Sequence, residues 1–174
     1  GVTANTSTSF EVCDDNNDGF FAFDLSTKEA EILGAQNAAS INVTFYETLL
    51  DAENAINSVV KNDYLNTTAY QQMLFVRVEN TADANCYDTT SFELMVSDSP
   101  MTQIVTDWQV CDTDNDGVFS FDLTLKNAEV LGGQSASDFA LTYHTSDVDA
   151  QQGQNPILGN FENTGTPQSI YYRM

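Results

Sequence analysis

The chain has 174 residues, and its 26 acidic side chains outnumber five cationic ones, so its formal charge is −21. This charge excludes a nucleic-acid binder, because contact with phosphates requires clustered Lys and Arg, and it disfavours docking on anionic lipid. With 41% hydrophobic residues, the chain can bury a core and does not resemble a disordered acidic tail. No apolar run approaches the roughly 18 residues that span a bilayer, so we expect no membrane insertion of this segment and place any export signal outside it.

Self-comparison of the sequence shows two copies of one module. An offset of 98 residues aligns Phe10–Asp14 with Trp108–Asp112, and the match continues without a gap through the following stretch. Small deletions later reduce the offset to 96, which aligns Arg77 with Arg173. Similarity at a fixed spacing predicts a serial array of related domains.

The two copies differ in extent. We expect residues 1–98 to form a complete repeat and residues 99–174 to form a second repeat that lacks its closing strand. Two explanations remain open at this stage. The chain is a window from a longer array, which we favour, or the second repeat receives a strand from elsewhere.

Copy one contains four stretches in which apolar side chains alternate with polar ones, and this period of two predicts half-buried strands. In chain order, the side chains expected to face the core are Phe21, Phe23 and Leu25, then Val43 and Phe45, then Leu74, Val76 and Val78, and last Phe92, Leu94 and Val96. Ser26 and Glu29 form a capping box that predicts a short helix ending at Gly34, and Asp51–Ala55 is a weaker helix candidate. The pattern predicts an all-β fold of tandem immunoglobulin-like β-sandwich repeats with short helical turns.

An aspartate-rich loop follows the first predicted strand of each copy. Oxygen-bearing side chains alternate along it and a glycine ends it, as Asp14-x-Asn16-x-Asp18-Gly19 and as Asp112-x-Asp114-x-Asp116-Gly117. Oxygens at alternate positions can converge on one hard cation, and Ca²⁺ tolerates uneven geometry better than Mg²⁺ does. The loops therefore predict calcium as the cofactor, although a solvated turn uses the same residue types.

The rest of the predicted ligand set differs from that of an EF-hand. Position 12 of an EF-hand loop is a bidentate Glu, whereas here it is Leu25 or Leu123. We instead predict a fourth side-chain ligand from the next strand and a fifth ligand from a backbone carbonyl. These additional ligands are Asp24 and the carbonyl of Phe20 in copy one, and Asp122 and the carbonyl of Val118 in copy two.

Three cysteines are present. The simplest pairing joins Cys13 to Cys86 within copy one and leaves Cys111, which repeats Cys13, without a partner. That bridge would close a loop of 74 residues (86 − 13 + 1), and the chain-entropy model gives it roughly 4 kcal/mol of stabilisation. A disulfide implies an oxidising compartment outside the cytoplasm. The alternative is a pair of buried free thiols.

The sequence predicts no enzyme. Nucleophilic catalysis requires an activated nucleophile with a base, and the single histidine, His144, aligns with Tyr46 in copy one. We expect His144 to be a packed or exposed side chain, and we expect Arg77 and Arg173 to form structural ion pairs. No phosphate loop, zinc spacing or dinucleotide fingerprint occurs. Among the 26 acidic residues, no pair stands out as the two carboxylates of a glycoside hydrolase.

Five sequence strings together carry a resemblance to a known family. One of them, Ile/Val-Leu-Gly-x-Gln, begins at Ile32 and Val130. The others are the string Cys-Asp-x-(Asp/Asn)-Asn-Asp-Gly-x-Phe-x-Phe-Asp-Leu, which begins at Cys13 and Cys111, and the copy-one strings Val43–Thr48, Phe75–Asn80 and Cys86–Thr90. They resemble a tandem repeat of very large cell-surface proteins of Flavobacteria and related Bacteroidota, exported by the type IX secretion system and including gliding-motility-type adhesins. The resemblance implies an extracellular location on the bacterial surface, a stalk or adhesive role, and no catalysis.

These observations lead to one main functional hypothesis and two alternatives. The main hypothesis is a calcium-stiffened spacer in the stalk of a large adhesin or fibre, whose partners are neighbouring repeats of the same chain. The first alternative is an adhesin module that binds carbohydrate, with surface glycans or other cells as partners. The second alternative is a filament subunit completed by strand donation. The change from Tyr46 to His144 between copies favours the spacer, because a binding module should keep its exposed aromatic residues.

Overall fold

A computed structural model describes all 174 residues, which form two compact units, Gly1–Ser99 and Pro100–Met174. Unit 1 contains, in chain order, β1 (Phe10–Asp14), β2 (Ala22–Phe23), α1 (Glu29–Leu33), β3 (Ile41–Tyr46), α2 (Leu49–Asn54), β4 (Tyr64–Leu65), β5 (Gln71–Asn80) and β6 (Asp83–Asp98). Unit 2 contains β7 (Ser120–Phe121), α3 (Asn127–Leu131), β8 (Thr142–His144), α4 (Asp147–Gln152), β9 (Phe161–Glu162) and β10 (Tyr171–Arg173). Short 3₁₀ turns, Leu25–Lys28 and Leu123–Lys126, lead into α1 and α3.

The main sheet of unit 1 has four strands in the order β1-β6-β5-β3. β5 pairs antiparallel with both β3 and β6, whereas β1 runs parallel to β6 with Phe10 opposite Leu94 and Asp14 opposite Asp98. A separate two-stranded ladder joins β2 to β4. The long strand β6 therefore connects the first strand of the module to the rest of its sheet.

One face of this sheet and the helical turn above it enclose the core. The buried apolar side chains are Phe23, Leu25, Ile32, Leu33, Val43, Phe45, Tyr64, Leu74, Val76, Val78, Phe92, Leu94 and Val96. This confirms the predicted inward positions of copy one with one exception. Phe21 is 37% exposed, because it precedes the two-residue strand β2 and its ring packs edge-on against Phe23 at 5.3 Å from outside the core.

The predicted β-rich fold with short helical turns is confirmed, but a clear immunoglobulin-like sandwich is not formed. A sandwich requires two full sheets packed face to face. Here the sheets are curled and mixed. The main sheet of unit 1 is accompanied only by the two-residue ladder β2–β4 and by short helices.

The first helix of each unit begins differently from the prediction. Asp24, not Ser26, is the cap, and its carboxylate accepts a hydrogen bond from the Ser26 N–H at 3.1 Å. Asp122 caps the equivalent turn of unit 2 in the same way through Thr124. An Asp at this position satisfies an N–H that the turn leaves without a backbone partner. The predicted end at Gly34, whose φ is +58°, is confirmed.

Unit 2 has a smaller set of strands. Its ladders are β8–β10 and β7–β9, and Trp108–Asp112, the counterpart of β1, is in no ladder. Its buried apolar residues are only Leu123, Val130 and Ala150. None of the helices in either unit has the length and apolar character that crossing a membrane would require.

Candidate metal loops and cysteine sites

In unit 1 the aspartate-rich loop closes on its own first carboxylate. Asp14 ends β1 and is only 4% exposed. Its two oxygens accept hydrogen bonds from the backbone N–H of Gly19 at 2.7 Å and from that of Asn16 at 3.1 Å. Asn17 and Gly19 both adopt positive φ, +58° and +79°, a conformation that Asn and Gly tolerate best. The sequence therefore folds this segment as a tight reversal around Asp14.

In unit 2 the equivalent loop brings three predicted ligands together. Asp112 accepts a hydrogen bond from the Gly117 N–H at 2.7 Å, as Asp14 does from Gly19. One carboxylate oxygen from each of Asp112, Asp114 and Asp116 lies within 4.8 Å of the others. Such convergence of ionised oxygens is the donor set that Ca²⁺ prefers.

Two of the predicted ligands are used elsewhere. Asp24 and Asp122 cap the helical turns, and one oxygen of each carboxylate accepts a hydrogen bond from the Ser26 or Thr124 hydroxyl. Phe20 contributes its N–H to the loop, donating to Asp18 at 2.8 Å, and Val118 donates to Asp116 at 2.7 Å. The close group of carboxylates in unit 2 does not include Asp122, and the fourth side-chain ligand stays a prediction in both copies.

The copies also differ in how well they fit a cation. In unit 1 the Asn16 side-chain N–H donates to Asp18 at 2.9 Å, so an amide nitrogen contacts the carboxylate that would bind the ion. In unit 2 Asp114 replaces Asn16 and supplies a carboxylate. Backbone N–H groups already satisfy both oxygens of the first aspartate of each loop and one oxygen of each later ligand aspartate, as they would in a plain turn. The loop of unit 2 is therefore the better candidate for a cation site.

Hydrogen bonding keeps the first aspartate of each loop ionised. For Asp14, burial raises the carboxyl pKa, but the backbone N–H groups of Gly19, Asn16, Asp18 and Asn17 outweigh it and lower the pKa overall. For Asp112 the N–H of Gly117 is the main cause of a lowered pKa, followed by a side-chain hydrogen bond with Asp114. Each loop therefore presents a charged carboxylate in the neutral pH range.

Each unit has an asparagine that holds its loop in place and that the sequence analysis did not include among the site residues. Asn66 is 2% exposed, donates to the Gly19 carbonyl at 2.9 Å and accepts from the Phe21 N–H at 2.7 Å. Asn163 makes the same contacts with Gly117 and Phe119. The repeated Asn-Thr dipeptide at 66 and 163 was the available sequence evidence for this clamp.

The cysteines of unit 1 lie far apart. Cys13 on β1 faces Ser97 across the parallel ladder, while Cys86 lies near the other end of β6, eleven residues from Ser97 (97 − 86). At about 3.3 Å per residue this separation is roughly 35 Å, and a disulfide requires Cα atoms within about 7 Å. All three thiols are free and exposed. The geometry thus contradicts the predicted Cys13–Cys86 bond within one module.

A family comparison bears directly on this separation. The model of the Flavobacterium inter-domain disulphide bond domain matches residues 9–100 and again residues 107–174. The chain belongs to this family. Neither a search of curated proteins nor a search of solved structures returned a match. The description names a disulphide between domains, and Cys13 and Cys86 lie at opposite ends of unit 1.

In this inter-domain disulphide bond domain, the shared arginine is structural. Arg77 is 4% exposed, donates to Glu79 at 2.6 Å and to the α2 carbonyl of Glu53 at 2.9 Å, and stacks on Tyr87 at 3.5 Å. The predicted ion pair is confirmed for Arg77. Arg173 repeats the helix contacts in unit 2, donating to the carbonyls of Ala150 and Gln151.

A lysine–glutamate pair binds the segment that precedes the first strand. Lys28 and Glu31 form an ion pair at 3.0 Å, the Lys28 ammonium donates to the Thr8 carbonyl, and Glu31 accepts from the Thr8 N–H at 2.6 Å. Lys126, Glu129 and Thr106 repeat this arrangement in unit 2. Both pairs lie inside the sequence repeat, but spacing alone did not show that their partner is an extended segment.

His144 is fully buried, which agrees with its prediction as a packed side chain. Its Nδ1 contacts the Gln154 carbonyl at 2.7 Å and must donate to it, so in the neutral ring Nε2 accepts from the Thr142 hydroxyl at 2.9 Å. Tyr46 in unit 1 makes the matching contact with Thr44 at 2.9 Å. The ring nitrogens are therefore occupied by structural hydrogen bonds.

Proposed function

We propose that the chain is a non-enzymatic structural repeat from the stalk of a large Flavobacterium-type cell-surface adhesin or fibre, whose successive modules are joined by disulphide bonds. The position of the cysteines in unit 1 carries this proposal. Membership of a family named for inter-domain disulphides supports it. Disulphides persist in oxidising surroundings, which favours an extracellular location.

The chain direction through unit 1 shows which end each thiol occupies. The Ser99 N–H donates to the Asp14 carbonyl at 3.1 Å, so Cys13 lies at the end where the chain leaves the unit. The Ala4 N–H donates to Asp88 at 2.9 Å, so Cys86, two residues before Asp88, lies at the end where the chain enters. In any series of such modules an exit end is followed by an entry end, and a thiol at each end suits bonds between consecutive modules.

The pairing of the Lys and Arg side chains within the modules further supports a structural role. Four of the five cationic side chains form ion pairs within their own unit, and Arg173 binds helix carbonyls. The surface charge that remains is strongly negative, which keeps extended chains apart and soluble. We further propose that Ca²⁺ binds the loops and stiffens the modules, unit 2 more tightly than unit 1.

Peptide mapping of the native protein, alkylated before denaturation, tests the disulphide proposal. We expect the Cys13 peptide to be linked to the counterpart of Cys86 in the following module. We expect the Cys86 peptide to be linked to the counterpart of Cys13 in the preceding module. Cys13 linked to Cys86 of the same module, or all thiols alkylated in freshly isolated protein, would contradict the proposal.

A further inference from the structure

A glutamine side chain in unit 1 is held at both ends of its amide group. Gln72, on β5, is only 9% exposed. Its Oε1 accepts hydrogen bonds from two consecutive backbone N–H groups, those of Thr67 at 2.6 Å and Thr68 at 3.2 Å. Its Nε2 donates to the Tyr64 hydroxyl at 2.7 Å and to the Thr67 hydroxyl at 3.1 Å. The amide is therefore fixed in one orientation, with a hydroxyl oxygen directly against it.

A carboxylate lies on the other side of the same hydroxyl. The Thr67 O–H donates to Glu47 at 3.4 Å, and the Tyr64 O–H donates to the same carboxylate oxygen at 2.8 Å. Burial, followed by the hydrogen bond with Glu47, raises the pKa of Tyr64 to about 12, so the Tyr64 hydroxyl keeps its proton at neutral pH. The four side chains thus form a closed network in which each proton has a defined acceptor.

This network contains the components of an acyl transfer. The Thr67 hydroxyl is a nucleophile with the Glu47 carboxylate as its general base. The two backbone N–H groups point at the amide oxygen, which becomes negative when the carbonyl carbon is attacked, as in an oxyanion hole. Tyr64 contacts the nitrogen that must leave. Because the hydroxyl is held against the amide, it has the advantage of proximity over water.

We propose that Thr67 and Gln72 form an intramolecular ester cross-link in unit 1. The Thr67 oxygen bonds to the side-chain carbonyl carbon of Gln72, its proton passes to Glu47, and the carbonyl electron pair moves onto Oε1. When the carbonyl re-forms, the bond between this carbon and Nε2 breaks. The nitrogen takes the proton that Glu47 returns through the Tyr64 hydroxyl, and it leaves as ammonia. The products are one ester and one ammonia, so no oxidant or cofactor is required.

The ester joins the start of β5 to the turn that precedes it. Asn66, which holds the Gly19 carbonyl at 2.9 Å, is the residue directly before Thr67. The cross-link therefore restrains the turn that holds the aspartate-rich loop of unit 1. It restricts the unfolded chain as well, which is how a covalent cross-link stabilises a fold in the chain-entropy model. The cross-link does not rest on the disulphides proposed above.

Unit 2 provides a comparison within the same chain. It repeats the nucleophile and the glutamine as Thr164 and Gln168, and the Thr164 N–H donates to the Gln168 Oε1 at 2.8 Å. The base and the proton donor are not repeated, since Thr145 and Phe161 stand in their places. We therefore expect the ester in unit 1 and an unmodified glutamine in unit 2.

Mass spectrometry of the intact, reduced 174-residue chain tests the cross-link. We expect a mass lower than that of the sequence by one molecule of ammonia. Chymotrypsin cuts after Tyr70, which lies between the two joined residues. After this cut the peptides that contain Thr67 and Gln72 should remain attached to each other, and hydroxylamine, which cleaves esters, should separate them.

Three variants separate the ester from other losses of ammonia. Thr67→Val removes the nucleophile and should abolish the loss. Thr68→Val is the matched control, because Thr68 contacts the amide through its backbone N–H, and it should leave the loss unchanged. Glu47→Gln removes the base from an exposed position and should lower the cross-linked fraction of freshly purified protein at least tenfold. A chain of unchanged mass, a loss that persists in Thr67→Val, or conversion of Gln72 to Glu without joined peptides would overturn the proposal.

Discussion

At the scale of single residues, buried polar side chains hold the module together through the backbone. Arg77 binds carbonyls at the end of α2 and at Ala84 while pairing with Glu79. Asn66, directly after β4, holds the aspartate-rich loop through the Gly19 carbonyl. No buried side-chain nitrogen or oxygen lacks a partner. Such satisfied networks fix a single arrangement, and removing one member leaves the other members unpaired.

Replacing Arg77 should therefore be costly. We expect Arg77→Ala to lower the free energy of unfolding of unit 1 by about 3 kcal/mol, since it leaves a partly buried carboxylate and three carbonyls without their donor. Arg77→Lys should restore only part of the loss, because an ammonium cannot reproduce the planar fork. Urea denaturation followed by circular dichroism measures both. Arg173→Ala is the matched variant in unit 2, and a larger loss there than for Arg77→Ala would contradict this account.

At the scale of elements, local patterns predicted the core positions but not the partners. Alternation marked Val43, Phe45 and the β5 and β6 residues correctly because one face of each strand is buried. It could not show that β1 runs parallel to β6, because parallel strands are not joined by a hairpin turn whose sequence would predict the pairing. For the same reason the sequence could not predict the distance between Cys13 and Cys86.

The candidate site was predictable to a similar extent. Spacing identified the loops of both copies, because alternate oxygens and a glycine are local features. It did not show that Asp24 and Asp122 cap the next helical turns. The cap forms because the N–H two residues later lies within reach of the same side chain. The Asn66 clamp depends on a contact across 47 residues, which no local pattern contains.

The segment before β1 provides a prediction at this scale. The N–H of Thr8, with Lys28 next, lowers the pKa of Glu31 from 4.5 to about 2, and Lys126 with Thr106 does the same for Glu129. A depressed folded pKa gives stability that is fully present above pH 4.5 and is lost as the pH falls toward 2. We expect the urea midpoint to fall across this window and Glu31→Gln to flatten the fall.

The control for this measurement is Glu53→Gln, which removes an exposed carboxylate that makes no side-chain hydrogen bond. It should leave the slope between pH 4.5 and pH 2 close to that of the unchanged chain. Identical slopes for the Glu31→Gln variant and the unchanged chain would show that the lysine–glutamate pair does not contribute to acid sensitivity.

At the scale of the whole molecule, a charge of −21 on 174 residues dominates. Mutual repulsion disfavours the compact state, and added salt screens it. Any cation should therefore raise stability to some degree. A calcium effect supports the proposed loops only where it exceeds that of a monovalent salt at equal ionic strength.

We expect Ca²⁺ to raise the unfolding midpoint reported by Trp108, with about 2.7 kcal/mol of added stability when the ion is at 100 times its dissociation constant. Excess chelator should reverse the increase. Asp114→Asn should abolish most of it, whereas Asp107→Asn, an exposed residue with the same charge change, should not. An equal increase in NaCl of matched ionic strength would remove calcium from the proposed function.

The parallel pairing of β1 with β6 determines how unit 1 responds to a pulling force. A pull applied to the start of β1 and to the end of β6 acts along the two strands in opposite directions, so it loads their five residue pairs in shear. Ladder bonds perpendicular to the pull share the load and break together, whereas strands peeled apart from one end lose their bonds one at a time. The first and last strands of the module thus form a mechanical clamp, which is what the proposed stalk role would require.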